Sequence, residues 1–144
     1  MHRAPLAAVL LLALGASGCG ESPKEKATAA AKEYVTKLGD GDGKGTCAQM
    51  TTGLQQQFTA AVARTTARFK GKGCAEVMQA ALDTIPKSQL QQFGKAQIRN
   101  VRLNEAEDRG TFVYRVGKID VDGRVAKQNG DWKVSCCVPP AGGA

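Results

Sequence analysis

The chain has 144 residues and carries 20 Lys and Arg against 13 Asp and Glu, which gives a net charge of +7. This length suits a single domain with one hydrophobic core. The only histidine is His2. Everything beyond it therefore lacks the imidazole of a Ser-His-Asp or Cys-His site, of histidine acid/base catalysis and of a histidine-containing zinc site. Aromatic residues are not interleaved with basic ones, which disfavours nucleic-acid binding.

The N-terminal segment has the three parts of a secretion signal. Basic character at residues 2–3 precedes an apolar run at 6–14 and small residues at 16–18. The apolar run is too short to remain as a transmembrane helix, which needs about 20 apolar residues. Residues 1–18 are therefore predicted to be a signal peptide that directs export.

The residues around Cys19 resemble the lipobox of bacterial lipoproteins. In that motif small residues, here Ser17 and Gly18, precede a cysteine that is acylated on sulfur and becomes the new N-terminus. The third position before the cysteine is usually Leu and here is Ala16. The resemblance implies a lipidated Cys19, a tether over residues 19–26 and a location at the extracytoplasmic face of the cell membrane. Cleavage by an ordinary signal peptidase would instead release a soluble secreted protein.

Helical periodicity dominates the next part of the chain. A first helix is predicted from Ala27 to Gly39, with its apolar face formed by Ala27, Ala30, Ala31, Tyr34, Val35 and Leu38. Further helices are predicted over Thr46 to Met50, from Thr52 onward, from Cys74 to Ile85 and over Ser88 to Phe93. Thr52 and Gln55 have the spacing of a capping box at the start of the third helix.

The segment 40–45 has some of the residues of a calcium loop. Asp40, Asp42 and Gly45 fall at the first, third and sixth positions of that pattern, but Lys44 and Thr51 occupy positions that need oxygen-rich ligands. We therefore predict a glycine-rich turn, in which Asp40 or Asp42 caps the short helix that follows, and no metal site.

One compact basic group stands out among otherwise scattered charges: Arg64, Arg68, Lys70 and Lys72. Two interpretations remain open for it. It either docks on anionic lipid headgroups or envelope polymers, or it is a solvated helix end whose cations favour the negative pole of the helix dipole.

Beyond Gly94 the apolar pattern changes from helical to alternating. Strands are predicted over Ile98–Leu103, Thr111–Val116, Ile119–Val121 with Arg124–Lys127, and Trp132–Val138. The pairs Asp122-Gly123 and Asn129-Gly130 are typical of tight hairpin turns, and strands joined by such turns are antiparallel. The predicted fold class is α+β, with N-terminal helices packed on a curved C-terminal antiparallel meander of about four strands. This single domain spans residues 27–138, and 139–144 form a flexible tail.

Several segments together resemble the nuclear-transport-factor-2-like (cystatin-like) superfamily of cone-shaped domains, including its small bacterial lipoproteins. These are residues 34–42, residues 46–51 and the final strand segment 130–134. The resemblance implies a cavity between curved sheet and helices, used for catalysis in some members and for binding or dimerisation in others. Catalytic members use Asp or His with Tyr, and neither Tyr114 nor Asp120 lies in such a motif here. The candidate cavity lining is Tyr34, Phe58, Phe112, Tyr114 and Trp132.

Four cysteines remain once Cys19 is assigned to lipid, and an exported protein retains disulfides. Three pairings can be drawn. Adjacent residues of a strand point to opposite faces, which disfavours pairing Cys136 and Cys137 with Cys47 and Cys74 at the same time. The preferred bond joins Cys47 to Cys74, which lie in two predicted helices that each start after a glycine-rich turn. The family resemblance favours the same pairing. Cys136 and Cys137 then form a second thiol pair, a vicinal bond or a bond to a partner.

These features lead to a functional expectation with no catalytic residue, metal or cofactor assigned. We expect a membrane-anchored, non-catalytic envelope lipoprotein that binds a small apolar ligand or another envelope protein. One alternative is a cone-fold lyase or isomerase that uses Asp and Tyr. The other is a self-associating structural lipoprotein, which predicts an exposed apolar sheet face and a homodimer.

Overall fold

The computed structural model describes residues 20–136. The predictions for the signal peptide, for lipidation of Cys19, for Cys137 and for the tail 139–144 lie outside these residues.

The first part of the described chain is helical, as the apolar periodicity predicts. Five α-helices and one short 3-10 helix follow one another: α1 (Pro23–Gly39), α2 (Gly43–Ala48), α3 (Thr52–Thr65), the 3-10 helix (Ala67–Phe69), α4 (Cys74–Asp83) and α5 (Lys87–Gly94). The face of α1 predicted to be apolar is buried throughout. No helix of the described residues is long and apolar enough to cross a membrane.

Helix α1 begins at Pro23, so the predicted tether over residues 19–26 is too long. The reason is a capping box: the Ser22 hydroxyl accepts a hydrogen bond from the Glu25 backbone N–H, and the Glu25 carboxylate accepts one from the Ser22 N–H at 2.7 Å. Pro23 follows at the first helical position, where its missing N–H costs nothing. The hydrogen bond from the Ser22 backbone N–H to the Glu25 carboxylate, and to a smaller extent one from the Ser22 side chain, lower the pKa of Glu25.

The glycine-rich turn connects α1 to α2 and provides the N-terminal cap of α2. Asp42 caps α2 by accepting a hydrogen bond from the Gly45 N–H at 2.8 Å. The sequence predicted a cap at Asp40 or Asp42, and the structure selects Asp42. Gly41 takes the left-handed backbone, with φ of +70°, which glycine adopts without steric cost. The cap of α3 is Thr51, whose hydroxyl accepts from the Leu54 N–H. The predicted cap at Thr52 is wrong by one residue.

The second part of the chain is a four-stranded antiparallel sheet with the order β1-β2-β3-β4. Its strands are β1 (Gln97–Leu103), β2 (Arg109–Val116), β3 (Ile119–Gln128) and β4 (Asp131–Cys136). The α+β class and the meander are therefore confirmed. The segment before α3 extends the sheet edge, because Met50 forms a parallel bridge with Val134.

One predicted turn is wrong. Strand β3 runs without interruption through Asp122-Gly123, and the turn between β2 and β3 lies at residues 117–118. Gly123 lies opposite Phe112 in the ladder, and the Phe112 ring occupies the space that a Cβ at Gly123 would fill. This glycine therefore serves close packing within a strand. The turn at Asn129-Gly130 is confirmed, since both residues have positive φ.

The preferred disulfide, Cys47–Cys74, is confirmed. It joins α2 to α4 with a Cα–Cα distance of 6.0 Å, within the range that an unstrained bridge spans. Cys136, at the end of β4, is also disulfide-bonded, so it is not a free thiol.

Candidate functional site

Two buried tyrosines lie in the core between α1 and the sheet. Tyr34 lies on the apolar face of α1, beside Ala30, Ala31 and Leu38 in the helical repeat. Tyr114 lies on β2, two residues after Phe112 and therefore on the same, helix-facing side of the sheet. Both tyrosines are 0% exposed.

Both tyrosine hydroxyls are buried polar groups with no protein hydrogen-bond partner among the described residues. Burial raises the pKa of each phenol well above its ordinary value of 10.0, and repulsion by a second tyrosinate at Tyr114 adds to the rise at Tyr34. Both phenol groups belong to the same hydrophobic core. A buried hydroxyl without a partner costs about 1 to 3 kcal/mol, so two in one core require an explanation.

The neighbours of Tyr114 in the sheet are apolar, and this apolar surface continues to the turn between β2 and β3. In the ladder Tyr114 pairs with Ile98 on β1 and Val121 on β3, which places these three side chains in one row on the inner face. The next row towards the turn is Val116 opposite Ile119. Ile98, Val116 and Val121 are half-buried, and Ile119 is 54% exposed. Val116 and Ile119 thus form an apolar rim, about 7 Å along the strands from the tyrosine row.

The five residues predicted to line a cavity belong to one hydrophobic core, with Phe58 at its half-buried margin. Phe112 packs beside Tyr114 with ring centroids 6.0 Å apart. Trp132, however, is remote from the tyrosine pair. It pairs with Lys127, six residues along β3 from the Val121 that pairs with Tyr114, a separation of about 20 Å. Its indole N–H is a third buried donor without a protein partner.

Tyr114 and Asp120 do not form a site together. Asp120 pairs with Arg115 in the ladder, which places it on the outer face of the sheet while Tyr114 points inward. Its carboxylate accepts two hydrogen bonds from the Arg115 guanidinium, at 2.6 and 2.8 Å. The Arg115 hydrogen bond lowers the pKa of Asp120. An Asp–Tyr acid/base pair is therefore not assembled from these residues.

A concave feature lies elsewhere, in the helical layer. It is an open groove of about 480 Å³ between the end of α1, the end of α4 and α5, lined by Gly39, Asp40, Gly41, Leu82, Asp83, Ile85, Lys87, Leu90 and Gln91. Its lining mixes apolar side chains with charges of both signs. None of the predicted lining residues reaches it. Across residues 20–136 no group of three or more His, Cys, Asp or Glu side chains is placed to hold a metal ion.

Comparison with known proteins found no match: no family description, curated protein or solved structure is similar to this chain. What the site can bind is therefore inferred from its geometry alone. The sequence pattern placed Tyr34 and Tyr114 on apolar faces but contained no sign that their hydroxyls are buried without a hydrogen-bond partner among the described residues. The useful signal was their chemistry, because each is a donor at a position otherwise filled by Ala, Val, Leu or Ile.

The two hydroxyls can be titrated without interference, because Tyr34 and Tyr114 are the only tyrosines in the chain. In the unfolded chain a phenol ionises near pH 10, whereas burial raises the pKa of both in the folded state. The folded state thus holds these two protons more tightly than the unfolded chain, and the free energy of unfolding is unaffected by them below pH 10 and falls as the pH rises above it. We expect tyrosinate absorbance to appear only together with loss of the far-ultraviolet circular dichroism signal. Ionisation of either tyrosine in a protein that remains folded would contradict the assigned burial.

Proposed function

We propose that this protein is a bacterial lipoprotein, anchored to the cell membrane through Cys19, whose domain binds a small apolar molecule without catalysing a reaction. The ligand lies between α1 and the inner face of the sheet and enters past the apolar rim at Val116 and Ile119. The observation that carries the proposal is the pair of buried tyrosine hydroxyls without protein partners.

The chemistry of this site defines the class of ligand. Two phenol groups with raised pKa values remain protonated at neutral pH and donate hydrogen bonds. Their neighbours in the sheet are apolar, so a charged ligand would be desolvated without a compensating partner. The site therefore favours an uncharged, largely apolar molecule with one or two acceptor oxygens, such as a carbonyl or an ester. A few placed polar groups in an apolar lining are typical of small-molecule sites.

The alternatives receive less support from the same geometry. A lyase or isomerase would need a carboxylate beside Tyr114, and Asp120 lies on the other face of the sheet in an ion pair. A self-associating lipoprotein would need an apolar outer sheet face. That face instead carries the exposed side chains of Arg99, Arg102 and Arg124.

The ligand proposal is tested by extraction. Protein purified from membranes under native conditions is extracted with organic solvent, and the extract is analysed by mass spectrometry. We expect a defined apolar molecule in stoichiometric amount. The Tyr34→Phe and Tyr114→Phe variants should each lose most of it, since one donor to a bound acceptor contributes about 1 to 1.5 kcal/mol, or roughly tenfold in affinity.

The matched control is Trp132→Phe, which removes another buried donor without a hydrogen-bond partner among the described residues, at a backbone separation of about 20 Å along the sheet from Tyr114. This variant should retain the ligand. Without ligand, the Tyr→Phe variants should be as stable as the parent protein or more so, because they remove an unsatisfied hydroxyl. An extract that contains no such molecule, or equal losses in all three variants, would refute the small-molecule proposal.

The anchor is tested separately by the intact mass of the same preparation. We expect the N-terminal peptide to begin at Cys19 and to carry a mass increase of two or three acyl chains. Each buried methylene contributes about 0.8 kcal/mol to membrane binding, so two chains hold the protein firmly. An unmodified peptide would refute lipidation and leave the ligand test unaffected.

A further inference from the structure

The basic group that the sequence singled out lies on an exposed projection of the helical layer. We call Arg64, Arg68, Lys70 and Lys72 the basic tip. They occupy the end of α3, the 3-10 helix and the loop before α4, and all four side chains are exposed. Only Leu54, near the start of α3, is fully buried in that helix, so the second half of α3 and the tip extend away from the core.

The charge of the tip is nearly uncompensated. No acidic residue occurs between Asp42 and Glu76 in the sequence. Lys72 forms an ion pair with Glu76 at 3.0 Å. Within residues 20–136, the structure gives Arg64, Arg68 and Lys70 no carboxylate partner. The Arg68 guanidinium instead lies over the Phe69 ring, 4.7 Å from its centroid, an arrangement that holds the cation at the surface.

The helix dipole does not account for this arrangement. A cation gains from the dipole only within the last turn of a helix. Arg64 is the only basic residue in the last turn of α3, and the helix ends at Thr65. Arg68, Lys70 and Lys72 lie beyond that end. Arg68 lies in a 3-10 helix of a single turn, and Lys72 pairs with Glu76. The dipole of α3 therefore leaves the net positive charge of the tip unexplained, and a surface with a net positive charge is complementary to an anionic one.

We propose that the basic tip docks on the anionic phospholipid headgroups of the membrane that holds the protein. The proposal relies on the proposed anchor for proximity. Only residues 20–22 separate Cys19 from the first residue of α1, which allows a reach of roughly 10 Å. Electrostatic attraction to a membrane acts over about 8 to 10 Å at physiological ionic strength, so the tether brings the start of α1 within range of the headgroups and lets the domain turn a basic surface towards them. Docking of the tip then orients the domain and its apolar rim relative to the bilayer.

The experiment uses the full lipoprotein, purified from membranes and reconstituted into vesicles of phosphatidylcholine alone or with phosphatidylglycerol. An environment-sensitive dye is placed at the tip through Ala67→Cys, and in a second sample on the outer sheet face through Thr111→Cys. Both positions are exposed. A quencher attached to the lipid headgroups reports contact. We expect quenching of the dye at position 67 only in the anionic vesicles, and its loss when salt is added.

Charge removal then tests the residues themselves. Each basic residue near an anionic surface contributes roughly fivefold to the ratio of docked to undocked protein. The variants Arg64→Gln and Arg68→Gln should lower this ratio accordingly and more strongly when combined. The matched control, Arg102→Gln with Arg124→Gln, removes the same charge from the outer sheet face and should leave quenching at position 67 unchanged.

Three results would overturn the proposal: quenching at position 111 in place of 67, equal quenching in neutral and anionic vesicles, or equal effects of the two double variants. The intact mass of the same sample shows whether Cys19 carries lipid. If it does not, vesicles added from outside still test docking through the same dye. Failure of the anchor and failure of the tip are therefore distinguished.

Discussion

Replacing Cys47 and Cys74 together by alanine should lower the free energy of unfolding by about 3 to 4 kcal/mol. The bond closes a loop with a sequence separation of 27, and removing it restores conformational freedom mainly to the unfolded chain. In the folded state, the loss of the bond affects the contact between α2 and α4, because the bridge is the covalent link between these helices and Cys47 is buried. We expect α2, a helix of six residues, to depend on this link.

Urea denaturation followed by circular dichroism measures the loss. For a domain of this size, it corresponds to a fall in melting temperature of roughly 10 °C or more. Reduction of the parent protein is not an adequate substitute, because Cys136 is disulfide-bonded as well. The double variant therefore isolates the α2–α4 bridge, and the control is Ala48→Ser, which changes an exposed neighbour in α2. An unchanged denaturation midpoint in the double variant would show that the bridge adds nothing to stability.

The second large effect concerns Gly39, where α1 and α5 touch. A Cβ added there would overlap the backbone of Gly94 and lie 3.1 Å from the Leu90 carbonyl oxygen. Backbone cannot rotate away as a flexible side chain can, so Gly39→Ala must separate the two helices. We expect a destabilisation of about 2 to 3 kcal/mol, within the range of overpacking substitutions.

The control for this prediction is Gly53→Ala in the first turns of α3, where an added Cβ meets no atom within 4 Å. Alanine is favoured over glycine in a helix by about 1 kcal/mol, so this variant should be as stable as the parent or slightly more stable. Thermal unfolding of the two variants side by side measures the difference. If Gly39→Ala were equally well tolerated, the close approach of α1 to α5 would be wrong.

Much of the secondary structure followed from local pattern. The apolar repeat in α1 and the alternation in β2 are set by which residues must face a core, and this depends on neighbours only a few positions away. The turn at Asn129-Gly130 has the same local origin, because both residues tolerate positive φ. The start of α1 was also encoded locally, in Ser22, Pro23 and Glu25, and was missed because these polar residues read as a tether.

The prediction at Asp122-Gly123 failed for a non-local reason. The pair has the composition of a turn, yet Gly123 lies beneath the ring of Phe112 on the neighbouring strand. Whether a glycine bends a chain or makes room for a side chain depends on what lies opposite, which is a property of register. The same register separates Tyr114 from Asp120, two residues that the alternative enzyme mechanism would need together.

The sequence by itself determined the α+β class, the number of helices, the last hairpin and the absence of imidazole beyond His2, because these depend on residue type and short-range spacing. Only the tertiary structure decided that the hydroxyls of Tyr34 and Tyr114 are buried in one core without protein partners among the described residues, that Trp132 lies several residue pairs along the sheet from Tyr114, and that most of the basic tip lies beyond the end of α3. Each of these depends on where a helix crosses the sheet or where an element ends in space, and packing between residues distant in sequence sets those positions.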